Sequence, residues 1–127
     1  MPACYKIEKE RRLVMSTGYG MVTRKDLLEH QNKLLDDPDF DPTFSQLADF
    51  GHMTKAEVTA ADIQILAERG IFAAESRRAF VVPDDVCYGL ARMYETLRDE
   101  KGERGIRVFR VLEEGLDWVF REEPAAE

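Results

Sequence analysis

The sequence predicts a single α/β domain in which four helices cover a mixed, mostly parallel sheet of five strands. Apolar residues recur with the periods of strands and helices in the order ββαβαβαβα. The chain has 127 residues, 44% of them hydrophobic, which is enough for one core without disulfides or a bound metal. Successive strand-helix-strand units require right-handed crossovers, so the strands that they join should be parallel.

The first two strands form a predicted antiparallel hairpin. Residues 3–8 alternate between apolar and polar side chains, and the charged residues 9–12 form the reversal. A second apolar run begins at Leu13 and reaches two glycines within residues 18–20. Glycines inside a strand predict a bulge or a close approach of another backbone segment.

The first helix begins at a predicted N-cap, Thr23, because Asp26 lies three residues later and completes a capping box. An apolar stripe follows, interrupted by Gln31, and the helix must end before the proline at position 38. The third strand is predicted over residues 44–50, and residues 51–58 are predicted to form a loop.

The second helix is predicted to begin at a capping threonine, Thr59, and to end at Gly70. Residues 79–82 form an uninterrupted apolar run that is closed by a proline. Such a run is typical of a strand covered on both faces.

The third helix is predicted to start at Asp84 or Asp85 and to continue with helical spacing as far as Gly102. Residues 106–111 form the predicted fifth strand, whose two arginines indicate a place near the edge of the sheet. An apolar stripe over residues 112–120 predicts the last helix.

Composition and charge exclude some classes of partner and indicate where in the cell the protein is located. The net charge is −7, whereas phosphate backbones attract a clustered basic face, so we expect no binding to nucleic acid. No window approaches the ~20 apolar residues of a membrane span, and the N-terminal segment lacks the apolar core of a signal peptide. Cys4 and Cys87 have no paired spacing, which fits a reducing compartment. We therefore expect a cytoplasmic protein without membrane insertion.

No metal or cofactor site is expected. Residues 37–41 have the alternating carboxylates of a calcium loop, but Pro42 stands where that loop needs glycine and Ala48 where it needs glutamate. His30 and His52 do not have the spacing of shared metal ligands. We expect His30 on the exposed side of the first helix and His52 in the loop after the third strand.

No catalytic constellation is found either. The sequence contains no nucleophile elbow and no phosphate-binding glycine loop. Cys87 has no neighbouring base and is expected to be a packed core residue. Arg77 and Arg78 precede the buried strand and could hold an anion, but two arginines at the entrance of a strand are more often solvated, so we expect both to lie in solvent. We therefore expect the protein not to be an enzyme.

In this order of elements the chain resembles STAS domains, the anti-sigma-factor antagonist fold, and more particularly the SpoIIAA-like group of small bacterial proteins. The resemblance covers residues 5–120. It rests on residues 20–23 leading into the first helix, residues 46–49 ending the third strand, and the apolar run 79–82. It implies a STAS-like domain over residues 1–121, and the composition of residues 122–127 indicates a polar tail.

The resemblance also implies a regulatory role. In regulatory members the third strand ends near an aspartate, matched here by Asp49, and an Asp-Ser pair starts the second helix. A partner kinase phosphorylates that serine. Residues 57–59 stand in its place and keep one hydroxyl, so Thr59 is the candidate phosphosite.

The function implied is a non-enzymatic module that binds another protein or a second copy of this chain. Ligands of open α/β sheets bind outside the carboxyl ends of parallel strands. The expected surface therefore gathers the side chains that follow these ends: Tyr19, Asp49, His52, Thr54, Thr59, Asp84, Asp85 and Tyr88.

The alternative function is a carrier of a small apolar ligand or lipid, since SpoIIAA-like proteins are considered similar in fold to lipid-binding CRAL-TRIO domains. A carrier needs an apolar pocket between the sheet and the helices. A cavity of several hundred cubic ångströms favours the carrier, whereas a filled core favours the protein-binding module.

Overall fold

The computed structural model of the chain describes residues 3–121. The polar tail expected over residues 122–127 lies outside them. The elements are β1 (Ala3–Glu8), β2 (Leu13–Thr23), α1 (Arg24–Asp36), β3 (Ser45–Glu57), α2 (Ala60–Ala67), β4 (Arg78–Val81), α3 (Asp85–Glu100), β5 (Ile106–Phe109) and α4 (Leu112–Phe120). The predicted order of elements is confirmed.

The five strands form one sheet in the order β1-β2-β3-β4-β5. β1 and β2 are antiparallel, as the hairpin predicted, and every later neighbour is parallel. Alternation along the strands separates two apolar layers. Ala48 and Phe80 pack in the layer of α2 and α3, whereas Leu47 and Val81 pack with Val119 of α4. The sheet is therefore covered on both faces.

The predicted places of β4 and β5 in the sheet are confirmed. All four residues of β4 are buried, and β5 is the edge strand that its arginines indicated. β5 ends at Phe109, two residues before the predicted end, because Val111 already serves as the N-cap residue of α4.

β3 is longer than predicted, and the loop predicted over residues 51–58 is wrong for all but its last residue. The strand continues to Glu57 by pairing with β2, whereas its pairing with β4 ends at Asp49 opposite Val81. Residues 19–23 and 50–57 thus form a two-stranded parallel ribbon beyond the main sheet, here called the β2–β3 extension. Its polar residues suggested a loop because much of the ribbon is exposed to solvent.

Irregular pairing marks the start of the β2–β3 extension. The register shifts between Thr17 and Tyr19 and again between Gly20 and Met21. Gly20 has a φ of 63°, a left-handed conformation that glycine adopts without strain. The predicted bulge is therefore present.

The three helix starts that were predicted from a capping residue are confirmed. Thr23 and Asp26 bond each other's backbone N–H groups as a capping box, and Thr59 does the same with Asp62. The Asp84 carboxylate accepts from the N–H of Cys87 at 2.9 Å and caps α3. These caps occupy backbone donors that a helix start otherwise leaves without partners.

Two helices end earlier than predicted. α2 ends at Ala67 instead of Gly70, because the N–H groups of Glu68 and Arg69 turn back to the carbonyls three residues before them and tighten the last turn. α3 ends at Glu100, two residues before Gly102.

Candidate functional site

A cavity lies between the sheet and helices α1, α2 and α3. It encloses about 140 Å³ and is partly open to solvent. Most of its wall is apolar and comes from β3, α2 and α3, including Ala48, Phe50, Met53, Ile63, Leu66, Leu90 and Ala91. The core is therefore not filled on this face, but the space is smaller than the several hundred cubic ångströms of a drug-sized ligand site.

Four polar side chains line one part of the cavity and form a hydrogen-bonded row across the sheet. The Oγ of Ser16 lies 2.9 Å from Nε2 of His30 and accepts from Nε2 of Gln46 at 3.0 Å. Nε of Arg78 donates to Oε1 of Gln46 at 3.0 Å. Because Gln46 donates to the Ser16 oxygen, the Ser16 hydroxyl proton is available to Nε2 of His30. The row therefore accommodates a neutral His30 that accepts this proton at Nε2.

Behind this row lies a buried cluster of three charges. Nη1 of Arg78 and Nε of Arg98 contact the two carboxylate oxygens of Glu103 at 2.9 and 2.8 Å. The three residues expose only 4%, 6% and 2% of their surfaces. Nη1 of Arg98 also donates to the carbonyl of Ala67 at the end of α2. One carboxylate therefore serves two guanidinium groups, and the cluster keeps one positive charge.

The prediction that Arg77 and Arg78 lie in solvent is wrong. Arg78 is the first residue of a strand covered on both faces, so its side chain enters the core, where Glu103 and Gln46 bond it. Arg77 is half-buried, lies 4.7 Å from the ring centre of Trp118, and donates to the Trp118 carbonyl.

The prediction that His30 faces solvent is also wrong. Its ring packs edge-on against Tyr5, with 5.4 Å between ring centres, and lines the cavity. Burial lowers the pKa of His30 to about 4, and the positive charges of Arg78 and Lys33 add to the effect. His30 is therefore neutral at neutral pH, a state that the hydrogen-bonded row accommodates.

The neutral His30 should make stability depend on pH. In the unfolded chain the imidazole binds a proton below its ordinary pKa of 6.5, whereas in the folded chain it does so only below about 4. Its contribution is complete above pH 6.5 and is lost as pH falls toward 4, a loss of about 3 kcal/mol. Urea unfolding at pH 7 and pH 4.5 should show a shallower pH dependence for His30→Gln than for the unmodified protein. An unchanged slope would contradict the buried neutral imidazole, and the exposed His52→Gln is the matched control.

The expected binding surface is distributed over the β2–β3 extension and two helix starts. Tyr19 and His52 are paired neighbours across the extension, and Thr54 lies in the same strand as His52. The prediction that His52 and Thr54 lie in a loop is therefore wrong. Asp49 stands where the pairing with β4 ends, and its Oδ1 accepts from the N–H of Gly51. These residues share one end of the sheet.

The remaining members of that surface lie at the helix starts. Thr59 and Asp84 are occupied as caps, and phosphorylation of Thr59 stays a prediction. Asp85 contacts Nη1 of Arg110 at 2.8 Å, and the Tyr88 hydroxyl lies 3.5 Å from Nη1 of Arg92. Among the described residues no hydrogen bond or ion pair connects the start of α2 with the start of α3.

None of the eight residues predicted for this surface lines the cavity. No motif in the sequence assigned a site role to Ser16, His30, Gln46 or Arg78. The sequence did contain a signal for Ser16 and Gln46. Strand alternation puts Ser16 on the same face as the buried Val14, and Gln46 on the same face as the buried Ala48. A polar residue at an inward position of an apolar strand indicates either a buried hydrogen bond or a ligand.

The acidic segment after α1 is used in turns. The Asp37 carboxylate accepts from the N–H of Asp39, and the Asp41 carboxylate accepts from that of Thr43. Over residues 3–121 no group of three or more His, Cys, Asp and Glu side chains is placed to hold a metal ion.

Both cysteines are free thiols, Cys4 exposed and Cys87 buried. Burial raises the pKa of Cys87 to about 11, and the neighbouring Asp84 carboxylate adds to the rise, which fits the packed core residue that was predicted. In the same described part of the chain, no helix combines the length and apolar character that crossing a bilayer requires.

Compared by sequence, the chain matches no protein-family model and no curated protein. Its structure is similar to the crystal structure of an uncharacterized protein of the DUF3478 family from Shewanella loihica, described as having a SpoIIAA-like fold. The TM-score is 0.58 at 17% sequence identity, over 92% of this chain and 93% of the other. The order of strands and helices and this similarity together show that the chain has the SpoIIAA-like fold.

Proposed function

We propose that this chain is a non-enzymatic binding module that takes a small apolar ligand into the cavity between its sheet and helices α1 to α3. The observation that carries the proposal is the partly open space of about 140 Å³ with a mostly apolar wall. Protein interiors usually leave few voids larger than a water molecule. A cavity of ~150 Å³ lined by aliphatic and aromatic side chains binds benzene in another protein.

The size of the cavity limits the ligand. A space that accommodates benzene fits a molecule of about six to nine heavy atoms, much less than a full-length lipid. Apolar wall that no ligand covers carries a free-energy cost of about 25 cal/mol per Å² of surface left accessible. A ligand that fills the space recovers part of this free energy, which favours binding without any charged contact.

Toluene binding tests the proposal. At tenfold excess over its dissociation constant, toluene should raise the free energy of unfolding by about 1.4 kcal/mol. It should also shift the NMR signals of cavity residues such as Ala48, Ile63 and Leu90. Ala91→Leu, which adds a side chain to the cavity wall, should abolish both effects, whereas the exposed Ala61→Leu should retain them. Toluene that shifts no cavity signal, or that stabilises the two variants equally, would contradict the proposal.

A second candidate function, binding of a partner protein, is favoured by the β2–β3 extension. Tyr19 and Met21 expose 44% and 51% of their surfaces there. Beyond Asp49 no third strand of the described chain pairs with β3, so backbone groups at this edge remain open to an added strand. Val86 adds an apolar side chain that is 69% exposed at the start of α3. Another protein or a second copy of this chain fits such a surface.

Asp85→Asn tests whether a basic partner is attracted to the start of α3. The ion pair of Asp85 with Arg110 is exposed, and such pairs contribute ~0–1 kcal/mol, so the free energy of unfolding should hardly change. Association with a partner that co-purifies from native cells should become slower, because rim charges act mainly on the association rate. The exposed Glu75→Gln is the control. If stopped-flow rates respond neither to Asp85→Asn nor to salt between about 0.05 and 0.5 M, this surface does not attract the partner.

A further inference from the structure

One nitrogen of the Arg78 guanidinium is not used by the protein. Nε donates to Gln46, and Nη1 donates to Tyr94 and Glu103. Nη2 makes no hydrogen bond to any residue within 3–121, although Arg78 exposes only 4% of its surface. Every fully enclosed side-chain nitrogen or oxygen in that part of the chain has a hydrogen-bond partner. Nη2 must therefore reach open space, and Arg78 lines the cavity.

The charge around Arg78 is not balanced. Glu103 is shared with Arg98, so one carboxylate faces two guanidinium groups. Within the described residues, Arg78 is the one charged side chain in the cavity wall, which contains no Asp or Glu. In a site of low dielectric constant an unbalanced positive charge attracts an anion much more strongly than it does in water. The cavity is therefore apolar over most of its wall and positive at one place.

The surroundings of Arg78 suit a carboxylate. Gln46 bonds Nε of Arg78, the row continues from Gln46 through Ser16 to His30, and the Arg78 guanidinium carbon lies 4.4 Å from the ring centre of Phe72. A guanidinium nitrogen forms short charge-assisted bonds with carboxylate oxygens. A carboxylate carries one negative charge, which matches the one excess positive charge of the cluster. The remaining volume accommodates a body about as large as a phenyl ring.

We infer that the ligand of this cavity is a small carboxylic acid with an aromatic or similarly compact apolar body, bound as the anion with its carboxylate on Nη2 of Arg78. This inference rests on the proposed function, because it assigns the polar end of the ligand that the apolar cavity would hold. The apolar wall supplies burial, and Arg78 supplies discrimination between an acid and a neutral molecule of the same shape.

Benzoate and nitrobenzene test the inference in the unmodified protein, because they have the same shape and differ in charge. NMR titration should show both ligands shifting the signals of Ala48 and Phe80, with benzoate binding at least tenfold more tightly. In Arg78→Met the benzoate preference should disappear while nitrobenzene binding remains. That variant leaves Glu103 paired with Arg98 and hence the cluster neutral, and circular dichroism and thermal melting establish whether it is folded.

The outcomes separate the inference from the proposed function. If toluene and nitrobenzene bind but benzoate does not bind more tightly than nitrobenzene, the apolar cavity is functional and the assignment of a carboxylate is wrong. If benzoate binds Arg78→Met as tightly as the unmodified protein, the assignment to Arg78 is wrong. If none of the three probes shifts a cavity signal, both the proposed function and the inference are wrong. Should Arg78→Met fail to fold, the comparison of benzoate with nitrobenzene in the unmodified protein decides.

Discussion

Replacing Glu103 with glutamine should destabilise the protein by about 3–5 kcal/mol, the range found when one partner of a buried ion pair is removed. The substitution keeps the shape of the side chain but leaves Arg78 and Arg98 as two buried guanidinium groups without a carboxylate. The cluster also connects elements that are distant in sequence, since Arg98 of α3 bonds the Ala67 carbonyl at the end of α2 and Arg78 belongs to β4. Urea unfolding at pH 7 measures the effect.

An exposed ion pair in the same region provides the matched control. Asp99 and Arg104 lie 3.2 Å apart, with side chains 54% and 77% exposed. Asp99→Asn makes the same chemical change as Glu103→Gln, and it should alter the free energy of unfolding by no more than ~1 kcal/mol. If the two variants were equally stable, the Glu103 cluster would not be buried as described. Replacing Arg78, Arg98 and Glu103 together with Met, Met and Leu should recover most of the loss, because no buried charge then remains.

Val81→Asp should destabilise the protein by several kcal/mol, a large share of the ~5–15 kcal/mol that holds a domain of this kind together. Val81 is 4% exposed, and its side chain packs with Leu47 of β3 and Val119 of α4. An aspartate there would bury a carboxylate among aliphatic side chains. Burial favours the protonated form, so the deficit should decrease when the pH is lowered from 7 to 5.

The control for this change is Val86→Asp, the same substitution in the first turn of α3. Val86 is 69% exposed, and a negative charge at a helix start is favourable, so thermal melting should change little. Melting of Val81→Asp at the temperature of the unmodified protein would show that this position is not in the core.

The features that the sequence determined by itself are those with local causes. The capping boxes of Thr23 and Thr59 depend on residues three apart, so the pattern and the structure agree at both helix starts. The apolar run that forms β4 and the charged reversal of the first hairpin also have signals within a few residues. Together with the handedness of crossovers, these signals were sufficient to predict the mixed sheet and its fold class.

What only the tertiary structure decided depends on contacts between distant segments. Residues 51–57 look polar and loop-like, yet they form a strand because β2 lies beside them and satisfies their backbone groups. Arg78 and Glu103 are charged residues that ordinarily remain in solvent, and each becomes buried because the other is there to pair with it. The cavity has no local signal, since it is space left where three helices meet the sheet, and its volume depends on how every side chain around it packs.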